Sequence, residues 1–157
     1  MSGVDFEIPT ETITVGKGSL TVRGMDSEDV VFLTTHYIED LKATLTKYGK
    51  AKHLPKSRVA DLVMDIIKDF PTMATEIISR CADVRTEDEV NKIRRLPFIK
   101  QVEAMKHIAL LSSEDGADLK KVMGVVASLL EANGLSLGPL TQSLQNIIGT
   151  SESPSPS

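Results

Sequence analysis

Apolar positions change their period along the chain. Ile13 and Val15 alternate with threonines, as do Leu20 and Val22 with Ser19, Thr21 and Arg23, on either side of Gly16-Lys17-Gly18. Two short alternating runs around a glycine turn predict a β-hairpin over residues 12–23. A lone hairpin is marginal in water, so it is expected to lean on helices or on another chain. Gly24 should end the second strand at a backbone angle that suits glycine. The period then lengthens. Leu33, Tyr37, Leu41 and Leu45 are spaced by four and predict one helix from about Ser27 to Tyr48. Asp26 or Ser27 can cap it, and Glu28 and Asp29 fall in the first turn, where the helix dipole favours negative charge.

More helical stripes follow the basic stretch GKAKHLPK. Ser57 can cap a helix burying Val59, Leu62, Val63, Ile66, Ile67 and Phe70, until Pro71 interrupts. The next stripe turns Met73, Ile77, Ile78 and Cys81 inward. Thr86 with Glu89 has the spacing of a capping box, and Val90, Ile93 and Leu96 continue from it. Pro97 suits the first turn of a helix burying Ile99, Val102, Met105, Ile108 and Ala109. The last strong helix is read over about Ala117–Ala132, with Leu119, Val122, Met123, Val126, Leu129 and Leu130 on its apolar face and Asn133-Gly134 as its stop.

The implied fold is mainly α: five to six amphipathic helices in a compact bundle with a short N-terminal β-hairpin and a disordered C-terminal tail. Residues 1–11 form an extended arm, 12–134 a single helical domain, 135–149 an apolar segment, and 150–157 a Ser/Pro tail. In the apolar segment, Leu135, Leu137, Leu140, Leu144, Ile147 and Ile148 are partner-binding candidates. A tethered apolar helix can dock in a partner's groove or cover its own, although the same stripe also suits a final core helix.

Composition narrows the function. Aromatics make up 4% of the 157 residues and there is no Trp, so the core must be aliphatic. The net charge of -4 gives no general attraction to nucleic acid or anionic membrane. A single cysteine, Cys81, fits a reducing cytoplasm. The N-terminus reads as neither a secretory leader nor a membrane anchor.

Chemistry is sparse. His36, His53 and His107 are scattered, and His36 with Glu39 and Asp40 makes half a metal site at most. GKG at 16–18 lacks the spacing of a phosphate loop. The pairs Asp26/Asp29, Asp61/Asp65 and Asp88/Glu89 read as solvated helix flanks. No catalytic, metal or cofactor site is expected, and the chain reads as a non-enzyme. Lys42, Lys47, Lys50, Lys52, Lys56 and Arg58 cluster with no acid between Asp40 and Asp61. They could contact phosphates, but a solvated linker explains them more simply.

Residues 19–30, SLTVRGMDSEDV, carry a family resemblance. A strand, then Val22-Arg23-Gly24, the apolar Met25, and Ser27 opening a helix through Val30 resembles the N-terminal signature of tail assembly chaperones (pre-tape-measure proteins) of long-tailed bacteriophages. The resemblance implies a non-enzymatic protein of the infected host's cytoplasm without cofactors. It would bind and solubilise the tape measure protein, help recruit tail tube protein, and be absent from the mature virion. A longer frameshifted form of itself is a further implied partner, and self-association stays open. The competing readings are a structural tail or connector subunit and a small nucleic-acid-binding regulator using residues 42–58.

Overall fold

The computed structural model describes residues 3–48, 56–113 and 120–132. Residues 3–9 are an arm exposed along its whole length. It leads into two antiparallel strands, β1 (Thr10–Val15) and β2 (Gly18–Arg23), paired from Thr10 opposite Arg23 to Val15 opposite Gly18. Gly16 takes a φ of +58° at the first position of the two-residue loop, where a side chain would be strained. Ile13 and Val22 point into the core at 2% and 1% exposure, while the Thr12 and Thr21 hydroxyls meet on the outer face at 2.8 Å.

Seven helices follow among the described residues: α1 (Ser27–His36), α2 (Ile38–Tyr48), α3 (Lys56–Asp69), α4 (Pro71–Cys81), α5 (Glu87–Arg94), α6 (Phe98–Ser112) and α7 (Lys120–Ala132). The fold is mainly α with a short N-terminal hairpin, as the sequence implies. Helix α6 is its spine, touching both strands, α3 and α4. The core is aliphatic. Met73, Ile78, Ile108, Leu130, Val59 and Val63 are all but sealed from solvent.

Three expectations need correction. The helix expected over Ser27–Tyr48 is broken at Tyr37, so α1 and α2 are separate. Thr34 and Thr35 both donate their hydroxyls to the Val31 carbonyl, at 2.9 and 2.8 Å, and His36 Nδ1 bonds the Phe32 carbonyl at 3.0 Å. Such local bonds compete with the helical ladder and favour a bend. Ile99 is 69% exposed rather than buried, because cover over α6 begins only after its first two residues. Pro97 stands at the N-cap of α6 rather than inside it, and its carbonyl accepts from Lys100 and Gln101 at 2.9 and 3.0 Å.

The caps also differ in detail. Asp26 and Asp29 form the reciprocal capping box on α1. At α5, Glu89 meets the Thr86 hydroxyl at 2.8 Å while its own N–H bonds that same oxygen. The basic stretch 49–55, Leu119, the candidates from Leu135 to Ile148 and the Ser/Pro tail lie outside the described residues.

Candidate functional site

The resemblance-bearing residues meet at the junction between β2 and α1. Val22 points into the core, Ser27 opens α1, and Arg23 reaches sideways to α4. Arg23 Nη1 donates to Asp29 Oδ2 at 2.7 Å and to the Gly24 carbonyl at 2.9 Å. Its Nη2 donates to the Arg80 carbonyl at 2.9 Å and to Asp83 Oδ1 at 3.1 Å, with Nε facing Asp83 Oδ2 at 3.3 Å. The guanidinium fork thus joins β2, the first turn of α1 and the C-terminal end of α4.

Asp29 is the correction here. It is 3% exposed and not a solvated flank. Its Oδ1 accepts from Arg80 Nε at 2.9 Å, and its Oδ2 accepts from the Asp26 N–H at 3.0 Å as well as from Arg23. Burial pushes the Asp29 carboxyl up. Hydrogen bonds from Arg23, the Asp26 backbone and Arg80 outweigh that and hold it below the usual carboxylate range. The bond to Asp29 raises the Arg23 pKa further still, so the pair is charged at any ordinary pH.

Asp83 has a φ of 55°, in the left-handed region that helix ends usually give to glycine. Its N–H bonds the Arg80 carbonyl at 3.1 Å and the Val84 N–H bonds Ser79 at 3.0 Å, which closes α4 in a Schellman turn. An aspartate at this position costs backbone strain and gains the Arg23 ion pair.

Gly24 is needed for closeness rather than for its backbone angle, since Gly16 alone takes positive φ among the described glycines. A Cβ on Gly24 would lie 2.6 Å from the Leu111 carbonyl oxygen and 2.9 Å from the Ser112 nitrogen. Beside it, the Met25 N–H donates to Ser112 Oγ at 2.9 Å.

Met25 and Val30 continue into an apolar cleft of about 120 Å³ under α7. Leu33 of α1, Leu41 and Leu45 of α2, and Ile66 of α3 form much of its wall. Val122, Met123 and Val126 of α7 cover it. Met25, Met73, Met105 and Met123 line it, four of the chain's six methionines. Methionine adapts its shape at little cost, so a surface rich in it accepts varied apolar partners. No sequence motif marks this cleft, because its walls come from helices far apart in the chain.

Other candidates resolve as structural features. Cys81 is 1% exposed, and burial pushes its thiol up to about 12, so it is no nucleophile. The His36 ring stacks on Phe32 at 4.1 Å. Among the described residues no three His, Cys, Asp or Glu side chains converge as a metal site requires. Of the basic cluster, Lys47 lies 2.7 Å from Asp65, and Arg58 lines a shallow hollow with Asp61 and Asp65. The fold therefore supplies acids that the sequence places elsewhere. Tyr48 also donates its hydroxyl to Asp65, which ties α2 to α3.

Residues 1–142 match the pre-tape measure protein family. The chain belongs to that family. Membership assigns this pre-tape measure protein to phage tail assembly. No curated protein and no solved structure matches it. No described helix is long and apolar enough to cross a membrane.

Proposed function

We propose that this protein is a non-enzymatic tail assembly chaperone that binds and solubilises the tape measure protein. The methionine-lined cleft under α7 is the observation that carries this reading. A long helical client exposes apolar stripes that would otherwise associate with one another. One such stripe seats in the cleft, in the place of α7 or beside it. Competition by tail tube protein, recruited to the same complex, then releases the client, and no nucleotide is consumed. The chaperone works in the host cytoplasm and is left out of the finished particle.

The C-terminal candidates Leu135, Leu137, Leu140, Leu144, Ile147 and Ile148 belong to this proposal as a second apolar element. They contact the client or occupy the cleft before it arrives.

Co-expression with the tape measure protein tests the reading. Soluble tape measure protein that co-purifies with this chain is expected, and Met105→Glu, which puts a charge in the cleft, should abolish co-purification. An unrescued tape measure protein with no complex overturns it. Mass spectrometry of purified virions separates the structural-subunit reading, which requires the chain to be present there.

A further inference from the structure

About 120 Å³ under α7 is unfilled. No Asp, Glu, Lys, Arg or His borders this space among the described residues, so nothing there would pair with a charged ligand. Three wall residues, Thr34, Thr44 and Ser112, carry hydroxyls, and each spends its proton on the backbone of its own helix. Thr34 donates to the Val31 carbonyl at 2.9 Å, Thr44 to the Asp40 carbonyl at 2.9 Å, and Ser112 to the Ile108 carbonyl at 2.6 Å. Ser112 Oγ also accepts the Met25 N–H at 2.9 Å. A buried water needs roughly two to four polar partners, and these walls offer it no free donor. An apolar cavity of about 150 Å³ stays dry and binds benzene. The space here is a little smaller, and flexible methionines on its walls can yield the difference.

The sulfurs decide which apolar group suits it. Met25 enters from the β2–α1 junction, Met73 from α4, Met105 from α6 and Met123 from α7. A thioether makes a favourable contact with the edge of an aromatic ring, at about 5 Å from sulfur to ring. No Phe or Tyr borders the cavity among the described residues. The chain therefore supplies this space with sulfur and with no ring. An aliphatic guest would gain burial there, whereas a ring gains burial and the sulfur contacts.

We infer that the cavity is a binding site for one uncharged aromatic ring of phenyl size. A hydroxylated or charged ring would lose its water with nothing to replace it. On the client reading of this cleft, which this last step rests on, the ring is a phenylalanine side chain of the tape measure protein.

Titration of the full-length protein with benzene, followed by NMR of isotope-labelled methionine methyl groups, is the test. Ring-current shifts that saturate, with a Kd on the order of a millimolar or tighter, are expected at Met25, Met73, Met105 and Met123. Met64, in the hollow beside Asp65, should not move. Phenol should bind about tenfold more weakly than benzene. Met105→Leu with Met123→Leu conserves volume, removes two sulfurs and should weaken benzene by about threefold or more. Val126→Phe puts a ring of the chain's own into the space and should abolish the shifts, as should Ala109→Leu from the α6 side if the first variant does not fold.

Absent shifts, or equal shifts at Met64, overturn the inference. So does phenol that binds as well as benzene, benzene affinity unchanged by the leucine pair, or binding that survives in a folded, filled variant. The client reading fails separately. Benzene binding by a chain that forms no tape measure complex keeps the ring site and removes the client, and a complex broken by Met105→Glu without benzene binding does the reverse.

Discussion

The β2–α1 junction and the cleft beneath α7 share Met25 and Val30 but are built on opposite rules. At the junction both Asp29 oxygens have named partners, and a Cβ at Gly24 would collide with Leu111. The cleft has apolar walls, flexible methionines and unfilled space. Polar networks with fixed geometry specify one arrangement, whereas methionine-lined space tolerates several. The first region therefore defines the fold, and the second tolerates changes of shape.

Arg23→Ala should produce the largest effect that breaks this contrast. It strands a buried carboxylate with Arg80 as its remaining side-chain partner and should cost about 3 kcal/mol or more, read by denaturant unfolding. Arg23→Lys should recover little of that, since an ammonium cannot span Asp29, Asp83 and the Arg80 carbonyl together.

Acid should attack the same network. Because the folded Asp29 pKa lies below its unfolded value, its contribution is fully present above about pH 4 and fades as pH falls through the depressed folded value. Asp29→Asn should flatten the dependence of Tm on pH in that acidic window, and an unchanged slope would move the acid sensitivity elsewhere.

Gly24→Ala should come next, at about 1–3 kcal/mol, through overpacking against the α6 backbone. The smallest effect belongs to the cleft. Val126→Leu, placed over unfilled space, should leave stability unchanged or raise it by about 0.5–1 kcal/mol while weakening tape measure binding. A large loss of stability from Val126→Leu would mean that the cleft is as tightly specified as the junction.

Local chemistry made much of the fold legible. Period-two runs gave the hairpin, proline and threonine punctuated α4 to α6, and the aliphatic composition matched the core. Non-local chemistry did not show. Asp29 looks like an ordinary first-turn acid until Arg80 and Asp83 arrive from more than fifty residues away. The stripe from Leu33 to Leu45 runs smoothly across Tyr37, yet the threonine hydroxyls on Val31 favour a bend there that apolar spacing cannot register. The Val22-to-Val30 signature was visible as a pattern, but its roles in the core, on α4, against α6 and in the cleft needed the packing of distant helices.

The contact between Gly24 and the last turn of α6 has a mechanical side. Helix α6 ends at Ser112, which receives the Met25 N–H while its own hydroxyl reaches back to the Ile108 carbonyl at 2.6 Å. A pull on the C-terminal end of α6 therefore meets a clamp at Ser112 before it can unwind the helix. The load passes into the hairpin and through Arg23 to α4, so force on the end of α6 is spread over three elements.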